Sequence, residues 1–71
     1  MYVIEKWNGL MCNGYTHIVA GFSTLEEANI WCHQQSPTND YGELMDMKKA
    51  FDIYRVEGKT VTLIPYPWEN K

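Results

Sequence analysis

The stretch Phe22–Gln35, FSTLEEANIWCHQQ, decides how the rest of this 71-residue chain is read. Ser23 is a good N-cap, and Glu26 follows three residues later. In that pattern a hydroxyl and a carboxylate each satisfy an open amide at a helix start. Glu26 and Glu27 also suit the positive end of the helix dipole. At about 100° per residue, Leu25, Ala28, Trp31, Cys32 and Gln35 share one face. That is a narrow apolar stripe, of the width a helix lays on a sheet. Pro37 ends the helix, because the residue before a proline avoids helical backbone. Ile30 stands about 140° from the centre of the stripe, and the stripe does not account for it.

The segments on either side of this helix read as strands. Tyr2–Trp7, YVIEKW, is β-branched and aromatic. Tyr15–Phe22, YTHIVAGF, is a second strand whose imperfect alternation points to burial on both faces or to an inner position. Between them lie two Asn-Gly pairs, Asn8-Gly9 and Asn13-Gly14, suited to turns with positive φ. Either pair could close the hairpin, the second through a longer, irregular loop. Beyond the helix, Ser36–Glu43 is a loop by composition. Glu43–Ala50 contains good helix formers with Leu44, Met47 and Lys48 on one face, giving a second short helix or a turn. Phe51–Tyr66 is a second hairpin. In it Phe51, Ile53 and Arg55 alternate with Asp52, Tyr54 and Val56, Gly58 supplies the turn, and Thr60–Ile64 is strongly β-prone. Pro65 and Pro67 end the last strand or confine it to an edge.

The expected fold class is therefore α+β. One antiparallel sheet of about four strands, in sequence order β-β-α-β-β, carries the main helix on one face, and residues 1–71 form a single domain. Leu25, Ala28 and Trp31 supply the helix side of the core. The opposite sheet face is left open or is covered by a partner, which is a usual way to present a binding surface.

Composition narrows the function. Apolar residues make up 45% of the chain, with three tryptophans and five tyrosines, so a small core can bury enough area to hold. Six Lys and Arg stand against nine Asp and Glu, a formal net charge of −3. This argues against nucleic acid, whose affinity rests on phosphate neutralisation. It argues equally against an anionic membrane surface and leaves a basic protein partner open. No apolar run approaches the roughly 20 residues of a membrane span. With no leader pattern and two cysteines, the expectation is a cytoplasmic protein with reduced thiols.

Cys12, His17, Cys32 and His33 are the only soft ligand types. Neither C-x-x-C nor H-x-x-x-H is present, and neighbours such as Cys32 and His33 diverge by about 100° on a helix, so no metal and no cofactor is expected. Cys32 lies near the helix C-terminus, the wrong dipole end to acidify a thiol. Asp40, Glu43 and Asp46 lack the alternation of a calcium loop. Phosphate-loop, dinucleotide and nucleophile-elbow motifs are missing, and an enzyme is not expected.

In size, acidity and lack of a catalytic motif, the chain resembles the compact accessory proteins carried by bacteriophages and mobile elements. Many of these bind and block one host protein. The resemblance implies a small inhibitor or modulator and carries over no residue. Expected contacts are Tyr66 and Trp68 in the Pro-stiffened tail, Tyr41 in the loop, and Ile30 and Glu27 off the helix stripe. A small-molecule or metal-binding domain using the Cys, His and aromatic residues is the alternative. A homodimer is a further expectation, since open faces and edges of small sheets are commonly closed that way.

Overall fold

The structure is a computed structural model, and it describes residues 1–65. Strands β1 (Tyr2–Trp7) and β2 (Thr16–Phe22) precede helix α1 (Leu25–His33). A four-residue helix α2 (Met47–Ala50) leads directly into β3 (Phe51–Glu57), and β4 (Thr60–Leu63) follows. The sheet order is β2-β1-β3-β4, antiparallel throughout. The fold is α+β, with α1 packed against one side of the sheet.

The helix stripe falls where its periodicity puts it. Ala28 and Cys32 are buried, and Leu25 and Trp31 pack beside them. Small residues at 28 and 32 let the helix approach Ile4 and Ile53, which lose all solvent exposure. Trp31 meets Phe51 edge to face, with ring centroids 5.5 Å apart. Ala50 and Phe51 complete the buried core from the α2–β3 junction.

Two local expectations are corrected. The N-cap is Thr24, not Ser23. Thr24 is extended, with φ −128° and ψ 152°, and its Oγ1 accepts from the Glu27 amide at 3.2 Å. The reciprocal acid is accordingly Glu27, whose Oε1 accepts from Thr24 Oγ1 at 3.0 Å and from Ser23 Oγ at 3.1 Å. Ser23 and Thr24 each precede a glutamate by three, so the pattern fits both. With Thr24 as cap, one carboxylate serves both hydroxyls. The second correction concerns β2, which is an edge strand. Its register slips between Ile4↔Ala20 and Glu5↔Ile18, leaving Val19 as an extra residue. Val19 and Ala20 both pack on the core. A bulge, common on edges, explains the broken alternation.

The connection after α1 has more order than its composition suggests. Thr38 bridges Leu44 in a small hairpin, and Gly42 takes φ +81° at its tip. Asn39 Oδ1 accepts from the amides of Tyr41 and Glu43. Leu44 therefore lies outside α2 and is 77% exposed. Asp46 caps α2, accepting from the Lys48 amide at 3.0 Å.

Asn8, with 1% exposure, ties this hairpin to the β1–β2 loop. Its Nδ2 donates to Asn13 O (3.3 Å) and Asp40 Oδ2 (3.0 Å). Its Oδ1 accepts from the amides of Leu10 (3.3 Å) and Tyr15 (3.1 Å). Every polar group of the side chain is satisfied, as burial requires. Gly9, at φ +83°, sits so close to Asn39 that an added Cβ would come within 2.5 Å of Asn39 Cβ.

Candidate binding face

Side chains alternate across a strand, so the register assigns each residue to a face. Tyr2, Ile4 and Lys6 of β1 and Phe51 and Ile53 of β3 point to the helices. The remaining β1 and β3 residues point away, and among the described residues no helix covers them. Opposed partners give rows across this second face. One row is Gly21–Val3–Tyr54–Leu63, the next is Ile18–Glu5–Asp52, and Val56 and Val61 pair beyond. Trp7 opposes Thr16 at the other end.

The face is broadly apolar at its margins. Ile18 is 63% exposed, Val61 60% and Leu63 48%. Two shallow depressions lie toward its ends. One, of about 440 Å³, is lined by Trp7, Leu10, Met11, Gly14, Tyr15 and Thr16. The other, of about 380 Å³, lies between Met1, Gly21, Phe22 and Ser23. Gly21 contributes to the second by having no side chain in its row. Trp7 is held at the first by its indole Nε1, which donates to Leu10 O at 3.2 Å.

The centre is acidic. Glu5 and Asp52 are directly opposed on β1 and β3. Directly opposed like charges destabilise a sheet. Tyr54 Oη donates to Glu5 Oε1 at 3.4 Å. Asp52 is exposed, yet partial desolvation by its neighbours pushes its carboxyl above the ordinary carboxylate value, and the Glu5 charge pushes it further. The Tyr54 phenol is raised by burial first, then by the charges of Glu5 and Asp52. The strand positions of this face contain no lysine or arginine. Lys6 lies on the helix side, donating to Thr38 O at 2.9 Å, and Arg55 pairs with Glu57 at 3.8 Å on that same side.

Of the contact residues anticipated from the sequence, Ile30, Glu27 and Tyr41 are described, and none of them lies on the strand positions of the open face. Ile30 is 51% exposed on the outer side of α1, the side of the molecule away from the open face. Glu27 lies one turn before it and serves the helix cap. Tyr41, 77% exposed, sits on the small hairpin held to Asn8 through Asp40. Tyr66 and Trp68 lie outside the described residues. Glu5, Asp52, Tyr54, Ile18 and Leu63 were not anticipated. The signal for them was the alternation of Asp52, Tyr54 and Val56 against Phe51, Ile53 and Arg55, which already separates the two faces of β3.

Among the described residues, no three His, Cys, Asp or Glu side chains converge to hold a metal ion. Both cysteines are unbridged, Cys12 exposed and Cys32 buried. Burial pushes the Cys32 thiol up to about 12, so it stays protonated at neutral pH and is a core residue, not a nucleophile. Among the described residues, no helix is long and apolar enough to cross a membrane. In comparisons with protein-family models, curated protein sequences and solved structures, nothing matches the chain.

Proposed function

We propose that this chain acts by binding. It is a non-enzymatic protein-binding module, an inhibitor or modulator that occupies the surface of a partner protein, and its place of action is the cytoplasm. The observation that supports this reading is the uncovered sheet face. Ile18, Val61 and Leu63 are exposed apolar side chains there beside a small acidic centre, and exposed apolar surface grouped on one face marks an interaction site. A rigid antiparallel sheet also costs little ordering entropy on docking. Tyr66 and Trp68 are part of the proposal as aromatic anchors.

Site-specific photo-crosslinking tests it. A photoreactive residue is placed at Ile18 or Leu63 on the open face, and a control at Glu26 on the exposed side of α1. The open-face positions are expected to capture one partner from cell extract, with Glu26 silent. Adducts of equal yield from all three positions, or from Glu26 alone, would reject the open face. In the same assay, Tyr66→Ala combined with Trp68→Ala is expected to weaken capture while leaving the melting temperature unchanged. A collapse of the melting temperature would place the two aromatics in the core.

A further inference from the structure

The second inference rests on the open-face reading and gives the partner a chemistry. We infer that the open face receives a protein segment bearing an arginine between apolar side chains, the guanidinium lying over the Glu5–Asp52 pair. The argument starts from the cost of that pair. Two carboxylates directly opposed in adjacent strands repel, and stability would favour a base at either position. Of the chain's six bases, Lys6 and Arg55 lie on the helix side, Lys48 and Lys49 on α2 and Lys59 in the turn between β3 and β4, while Lys71 lies outside the described residues. Among the described residues, neither carboxylate meets a cation, and Tyr54 alone contributes a donor, to Glu5. The described residues therefore leave the pair's charge uncomplemented, and an arriving partner can supply the complement.

The surroundings suit a guanidinium. Its planar fork has donors enough for two carboxylates at once, which an ammonium matches less well. Val3, Trp7 and Ile18 flank the pair with apolar surface, and although Glu5 is only part-buried and Asp52 exposed in the free protein, a docked segment would take both carboxylates out of water and strengthen the contact. Along β1, Val3, Glu5 and Trp7 recur every second residue, so the acidic point lies roughly 7 Å from an apolar one on each side. The depressions near Gly21 and Trp7 lie beyond these points. The matching segment is apolar, cationic, apolar.

A second copy of the chain does not match. A two-fold axis through the centre of this face would stack two Glu5–Asp52 pairs, four carboxylates in one drying interface, with no lysine or arginine at the described strand positions of the face to offset them.

The test is selection of displayed random short peptides on the intact 71-residue protein, followed by measured affinities of the winners. Expected winners carry an arginine flanked by apolar residues, bind more weakly as salt rises, and lose at least tenfold in affinity to the Glu5→Gln/Asp52→Asn double variant. That variant keeps the fold, as circular dichroism and an unchanged or raised melting temperature will verify. Ile18→Lys separates the two readings. Winners that lose affinity to Ile18→Lys but not to the double neutral variant would overturn the arginine inference and leave the open face standing. Winners indifferent to both would overturn both. A concentration-dependent dimer that the double neutral variant strengthens would assign the face to a second copy and also overturn the inference.

Discussion

The sharpest test of the fold is at Asn8, where truncation and substitution by the isosteric aspartate are each expected to be strongly destabilising. Trimming Asn8→Ala removes four side-chain hydrogen bonds. At about 1 kcal/mol net for each bond, the loss is about 4 kcal/mol, reduced where water reaches the opened loops. A domain of this size has a stability of only about 4–10 kcal/mol, so the loss is large. Asn8→Asp keeps the acceptor for the Leu10 and Tyr15 amides but loses both donations. It also sets a carboxylate against Asp40 Oδ2, where the amide now sits at 3.0 Å. Two charges at that distance repel by about 5 kcal/mol at an effective dielectric of 20 and by about 1 kcal/mol in water. Asp40 is exposed, so the lower part of that range applies. The decisive variant is Asn8→Asp/Asp40→Asn, which restores the hydrogen bond with donor and acceptor exchanged. Urea denaturation at pH 7 should rank wild type above the exchanged double variant, and the double variant above Asn8→Asp by about 2 kcal/mol. If the double variant is no more stable than Asn8→Asp, the Asn8–Asp40 link does not hold the two loops together.

Other expectations follow from single sites. Asp52 keeps its proton to higher pH in the folded state than in the unfolded chain, because its carboxyl is raised by burial and by Glu5. Its penalty is absent below the ordinary carboxylate value of about 4 and grows as pH rises through the raised folded value. Asp52→Asn should therefore raise the urea midpoint at pH 7 and leave it unchanged near pH 3, and an equal effect at both would refute the repulsion. Thr24→Ala should cost about 1 kcal/mol and Ser23→Ala clearly less, whereas the reverse order in thermal melts would return the cap to Ser23. With a thiol reagent at pH 8, Cys12 should label promptly and Cys32 only on unfolding; two fast thiols would contradict the buried helix stripe.

The elements themselves were legible because their signals are local. Tyr2–Trp7 and Phe51–Glu57 are β-branched and aromatic throughout, and the α1 stripe repeats within nine residues. The cap slipped by one because Ser23–Glu26 and Thr24–Glu27 satisfy the same pattern. The bulge at Val19 looked like two-sided burial because an extra residue and an inner strand disturb alternation alike. The open sheet face was legible only as an uncovered side. Its chemistry depends on register, and Glu5 and Tyr54 meet across 49 positions of sequence. No local pattern says that Asp52 will stand opposite Glu5. Asn8 was hidden in a similar way, read as one half of a turn pair when its side chain faces two loops.

The sheet order has a consequence for how the protein is made. β1 is the first strand to be synthesised, yet it lies inside the sheet, and its inner neighbour β3 begins only at Phe51. Until Phe51–Glu57 leaves the ribosome, β1 and β2 form at most a two-stranded hairpin, which is marginal in water. Neither Ile4 nor the α1 stripe has Ile53 and Phe51 to pack on. Assembly is thereby delayed until one late segment arrives and then closes the core and the face together. A nascent chain that stops short of Phe51 has no assembled sheet face, only an unpaired strand to offer a protease.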